Sequence, residues 1–307
     1  MRRSVALGVV ILILSFLGRR AIASETELIN KVLLFGVLVI VPLGLSVASR
    51  DKQEWNSFLL RFIARAQLPF AAMVALSFQF DYGVVAAMLT TPWLILTGLM
   101  AIYGLVRLLD PPSRAVAEVS VSAGLIFVAI GGFWLIISRL GIQPMGFGET
   151  IILLTAVHFH FAGFAAPILA GLAGRTLPQP KQARLPFILV VAGLITGTPL
   201  VAAGISFSPP LALAGTLVIT TALFLLSVLV IGWVVPRLRD RAAQALLIVS
   251  SLAPLVSMVL ASLYAYSLVT KKLIVDIPQM ARSHGIINAF GFSLCGLLAW
   301  WLLCPED

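Results

Sequence analysis

The chain has 307 residues, 60% of them hydrophobic and only 11% charged, with a mean hydropathy of +1.08, whereas an average soluble domain carries roughly 25% charged residues. That composition excludes a soluble core. Apolar runs near or above the ~20 residues that cross hydrocarbon predict an all-α polytopic transmembrane helix bundle, and the alternating segments of about ten residues that mark a transmembrane β-barrel are missing.

Ten spans are expected, at residues 4–18, 32–48, 61–80, 83–106, 115–138, 149–173, 185–206, 211–235, 242–269 and 280–303. Proline and charge mark the breaks, as at Asp110-Pro111-Pro112, Pro178-Gln179-Pro180-Lys181 and Ser208-Pro209-Pro210. Nothing between the spans is long enough for a soluble domain, so residues 1–307 read as one integral membrane domain. The first run is also compatible with a secretory signal cut after Ala21-Ile22-Ala23, which would leave nine spans. Arg19 and Arg20 just beyond the run favour an anchor.

The net charge of +9 lies in short loops without the aromatic interleaving of a nucleic-acid groove, so nucleic acid is excluded as a partner. With the N-terminus inside, seven of the 21 Lys and Arg fall outside (Arg19, Arg20, Lys31, Arg139, Lys271, Lys272, Arg282) and the other fourteen inside. This bias predicts a plasma (inner) membrane protein with both termini cytoplasmic, and anionic lipid against its cytoplasmic loops. Cys295 and Cys304, nine residues apart, have neither metal-binding nor disulfide spacing and read as packing residues.

Only three histidines occur: His158 and His160 in the sixth span, and His284 near the start of the tenth. Ionisable side chains at membrane depth are costly and mark ligand sites, proton paths or buried partners. On a regular helix starting at Glu149, His158 and His160 lie roughly 13 and 16 Å below the outer end, and His284 roughly 7 Å below the start of its span. Residues at i and i+2 point about 200° apart. His158 and His160 therefore cannot hold one ion together unless Gly163 or Pro167 unwinds the segment.

The metal-ligand set these positions suggest is His158 or His160, with His284 and the carboxylate of Glu149, supported by Asp81, Asn288 and Thr155. Asn288 stands one turn after His284 and could orient its ring, while Gly285 and Gly291 suit close helix approach. Gln79, Tyr82, Asp276 and Gln279 are further polar residues at the outer end. Glu118 reads as an interfacial acid, and Trp93, Trp134, Trp300 and Trp301 as packing and anchoring residues. The expected cofactor is a divalent metal ion; haem, clamped between two histidines, is disfavoured by their different depths.

No glycine-rich phosphate loop, Gly-x-Ser-x-Gly elbow, His-Glu-x-x-His or Cys-x-x-Cys is present, so no catalytic residue is assigned. Three histidines are also too few for a histidine-rich di-iron oxygenase.

The passages Glu149 to Pro167, with Ala-Val-His158-Phe-His160-Phe-Ala-Gly-Phe, and His284-Gly-Ile-Ile-Asn288-Ala-Phe-Gly-Phe292 resemble the YndJ-like family of bacterial integral membrane proteins. The resemblance implies a multi-helix bacterial membrane protein and carries no biochemical role. Some relatives have an additional C-terminal soluble domain; this chain stops at Pro305-Glu306-Asp307, so activity residing there is expected to be absent.

Three functions remain open: a histidine site open to the outer face that binds metal or haem, a proton-coupled permease using the same His and acid residues as a relay, and a membrane assembly partner with histidines as interhelical hydrogen-bond glue.

Overall fold

The computed structural model describes residues 2–17, 24–49, 57–109, 115–177 and 181–303. Among these every regular element is a helix, and there is no strand. The ten expected spans correspond to α1 (Arg2–Leu17), α2 (Glu25–Ala48), α3 (Phe58–Ser77), α4 (Val84–Leu109), α5 (Val116–Leu140), α6 (Glu149–Thr176), α7 (Lys181–Phe207), α8 (Pro209–Arg237), α9 (Arg241–Thr270) and α10 (Ile277–Leu303). Nine are long and apolar enough to cross a membrane; α1 contributes a shorter apolar stretch, Val5–Leu14. The cleavage site expected at Ala21-Ile22-Ala23, with Arg19 and Arg20, and Cys304 lie outside the described residues.

The helix ends follow local chemistry. α2 begins seven residues before the expected start because Ser24 caps it, accepting from Glu27 N–H at 3.2 Å, and Glu27 pairs with Lys31 at 3.2 Å one turn on. The charge that set the expected boundary is thus neutralised inside the helix. α10 starts with a reciprocal capping box between Asp276 and Gln279, followed by Pro278 at the first turn.

Four helices carry π-helical stretches: Gly36–Ile40 in α2, Phe161–Ala165 in α6, Val230–Val234 in α8, and both Ala281–Gly285 and Ile287–Leu294 in α10. Such widened turns free backbone carbonyls and recur at functional sites. The one in α6 lies between His160 and Pro167 and includes Gly163.

The chain divides into two compact units, one of residues 1–113 and 122–165, the other of residues 114–121 and 166–307. In the first, α2 is the core helix, 94% buried over its most apolar window, as its hydrophobicity on all faces requires. In the second, α7 to α10 pack in sequence. Gly215 of α8 abuts α7, where a Cβ would stand 2.6 Å from Val201 N, the small-residue contact that lets membrane helices approach. Gly291 makes such an approach to Ala253 of α9, whereas Gly285 meets only its own helix. Apolar side chains such as Ile95, Ile102, Leu105, Val256 and Val259 are exposed on the helices, as lipid contact demands.

Candidate functional site

In the first unit, His160 is fully buried, and both ring nitrogens are engaged. The indole Nε1–H of Trp93 on α4 donates to His160 Nε2 at 3.1 Å, and His160 Nδ1 lies 2.8 Å from Ala156 O one turn back. An indole can only donate and a carbonyl only accept, so Nε2 holds the lone pair and Nδ1 the hydrogen. The two rings are inclined by 16° with centroids 6.0 Å apart. Gly131 of α5 closes the third side; a Cβ there would stand 2.7 Å from His160 Nδ1.

His158 is partly exposed, and its Nδ1 is 2.7 Å from Leu154 O. One imidazole is enclosed and its neighbour two positions away is not, as the i, i+2 geometry dictates. Thr155 turns its hydroxyl to Ile151 O at 2.7 Å, within its own helix.

A second cluster in this unit gathers at the start of α6. Glu149, half-buried after Gly148, accepts from Ser138 Oγ at 2.7 Å, and its charge suits a helix N-terminus. Beside Ser138, Arg139 is buried and donates from one guanidinium nitrogen to Ser77 O at 2.9 Å and Phe80 O at 2.8 Å. Its guanidinium carbon stands 4.6 Å from the Phe78 ring centre and 4.8 Å from that of Tyr82. Arg139 therefore caps the C-terminal end of α3.

The turn between α3 and α4 is pinned from the same residue, since Gly83 N–H donates to Arg139 O at 2.9 Å. Gly83 holds a φ of 140°, a conformation other residues rarely adopt. Asp81 and Gln79 are exposed there. Tyr82 is about half exposed; its partial burial, and then the nearby Glu149 carboxylate, push the phenol above its ordinary pKa, with Arg139 acting the other way.

In the second unit, His284 is half-buried within the π-helical stretch of α10. Its Nδ1 lies 2.9 Å from Ser257 O on α9, which fixes the hydrogen on Nδ1. The Asn288 amide nitrogen lies 3.2 Å from Nδ1 and 3.3 Å from Nε2, and Asn288 Oδ1 accepts from Ser257 Oγ at 2.9 Å. Ser257 and Asn288 thus both contact the ring and are bonded to each other. Further along the same pair of helices, Ser250 Oγ donates to Phe292 O at 2.7 Å. Asp276 and Gln279 are occupied by the capping box.

Also in this unit, Glu118 is a partner in a buried ion pair, not an interfacial acid. Arg175 Nε and a terminal nitrogen reach its two oxygens at 2.8 and 3.0 Å.

His158, His160 and Glu149 belong to one unit and His284 to the other. Among the described residues no group of three or more His, Cys, Asp or Glu is placed to hold a metal ion. The sequence placed none of Trp93, Arg139 and Ser257 in a site, reading Trp93 as packing and Arg139 as an outer basic residue. Trp93 is 67 positions from His160 and carries no local signal; Ser257, a hydroxyl inside an apolar run, offered a weak one.

A family model described as YndJ-like protein matches residues 31–292. A relative from Bacillus subtilis (strain 168), called uncharacterized membrane protein YndJ, is 32% identical over 208 residues, covering 68% of this chain and 37% of the relative. The aligned stretch thus takes in little more than a third of that relative's length. No solved structure matches the chain.

Proposed function

The chain belongs to the YndJ-like family of membrane proteins, and on that premise we propose that it is a proton-coupled permease in which His284 carries the coupling proton. The observation that supports this reading is the setting of His284: a half-buried imidazole on a π-helical stretch, oriented by Ser257 O and by the Asn288 amide. Ionisable groups at membrane depth held by neighbouring hydrogen bonds are the material of proton pathways. Irregular helices at the site recur among transporters, a parallel between folds. His158 and Glu149 are further protonatable groups of the proposal. A plasma-membrane location, both chain ends on the cytoplasmic side, and anionic lipid against the basic loops belong to the same reading.

A metal ion or haem held by His158 or His160 with His284 has less support, because the Nε2 lone pair of His160 is turned to the Trp93 N–H. Hydrogen-bond glue, the assembly-partner reading, suits His160 taken by itself.

The test uses purified protein in liposomes containing a pH-sensitive dye, challenged in turn with amino acids, organic acids, sugars and metal salts under an imposed pH gradient. One class is expected to change internal pH with the wild type and not with His284→Ala. Folded wild-type protein that moves no protons with any class overturns the proposal. Stoichiometric bound metal, lost in His284→Ala, would replace it with the metal site.

A further inference from the structure

We infer that the middle of α2 holds a bound water molecule, donating one hydrogen to Gln67 Oε1 and the other to a backbone carbonyl of the π-turn at Gly36–Ile40. This site is independent of the permease reading.

The argument begins with Pro42, which has no N–H. At the π-turn Val41 N–H donates to Gly36 O, five residues back. The next bond in that register would run from residue 42 to Val37 O, and in the ordinary α-helical register from residue 42 to Leu38 O. Neither can form. The one missing N–H therefore leaves a carbonyl of the turn without its helical donor where Val37, Leu38 and Ile40 are all fully buried, and a backbone group left unsatisfied at such depth is costly.

The surroundings meet only part of this demand. Gln67 of α3, itself fully buried, donates from Nε2 to Val37 O at 3.3 Å. Leu38 O faces Gly8 of α1, so close that a Cβ there would collide with it; a Cα–H contact is a weak donor. The other end of the Gln67 amide is worse placed, because Oε1 is buried with no hydrogen-bond partner. Exchanging the amide's O and N does not help, since Oε1 would then face the Val37 carbonyl.

The amide nitrogen of Gln67 thus serves Val37 O alone, and its own Oε1 is left without a donor beside the proline-interrupted turn. The missing component is small, neutral and carries two donor hydrogens, which describes water. Buried waters bridge such groups with about three hydrogen bonds, and ordered water is one of the devices by which membrane helices tolerate proline. A cation would bring net charge to a place lined by neutral groups, at a larger cost.

Radiolytic hydroxyl-radical labelling of the full chain in nanodiscs, in ¹⁸O-water, tests the site, because side chains touching a bound water are oxidised while dry ones are not. The Val37–Ile40 segment is expected to label several-fold faster than the equally buried Leu43–Val47 segment. That excess is expected to vanish in Gln67→Leu. Pro42→Ala, which restores a backbone N–H while keeping Gln67, is expected to reduce it and guards against a Gln67 variant that fails to fold. Wild-type labelling of Val37–Ile40 no faster than Leu43–Val47, or an excess unchanged in both variants, overturns the inference.

Discussion

Trp93 and His160, on α4 and α6, are joined by an indole N–H to imidazole Nε2 hydrogen bond of 3.1 Å at a fully buried position. Because Trp93 occupies the lone pair and Ala156 O takes the Nδ1 hydrogen, the ring is held in one tautomer. Trp93→Phe leaves Nε2 as a buried acceptor without a donor and is expected to destabilise the protein by about 1–3 kcal/mol. Replacing both residues with Phe should cost less than the sum of the two single changes. Unfolding of detergent-solubilised variants, run as a double-mutant cycle, checks this; strictly additive costs would mean the bond contributes nothing.

Gly131 is the third wall of that pocket. Gly131→Ala puts a Cβ 2.7 Å from His160 Nδ1 and is expected to cost about 1–3 kcal/mol as overpacking. Gly98→Ala on α4 meets nothing within 4 Å and should be neutral or mildly stabilising, since Ala is the better helix former. The thermal unfolding midpoint should therefore fall in Gly131→Ala and hold or rise in Gly98→Ala.

The Glu118 and Arg175 pair is two-pronged, with side chains 7% and 20% exposed. Glu118→Gln strands most of a buried guanidinium charge and is expected to lower stability by about 3–5 kcal/mol, less to the extent that solvent reaches Arg175. Glu118→Gln combined with Arg175→Gln should recover part of the loss. Resistance to denaturation in mixed micelles reports both.

Tyr82 gives an alkaline signature. Its folded-state pKa lies above the ordinary value of 10.0 because of partial burial and then Glu149, and the effect is small because the residue is 49% exposed. Over the window from the ordinary value up to the raised one, the unfolded chain has released the proton and the folded chain has not. Stability fully present below that window therefore falls as pH rises through it. Tyr82→Phe is expected to flatten the decline, read from unfolding midpoints taken between neutral and strongly alkaline pH; an identical decline in both proteins would assign it to other groups.

The periodic and compositional signals were sufficient for the helices because, in hydrocarbon, each span must satisfy its own backbone and hide its own charges. Boundaries slipped where a charge was cancelled locally, as Lys31 is by Glu27. Asn288 beside His284 was also legible, being one helical turn away. The two residues share a helix, and their spacing alone places them on one face.

Family, architecture and the rarity of histidine in an apolar chain were written in the sequence, since each is a matter of composition and of residues near one another along the chain. What each imidazole does was decided only in three dimensions. Trp93 reaches His160 from another helix, and Ser257 reaches His284 in the same way. The physical reason is that a hydrogen bond depends on distance and direction between side chains, and helix packing sets both without leaving any regular trace in residue spacing.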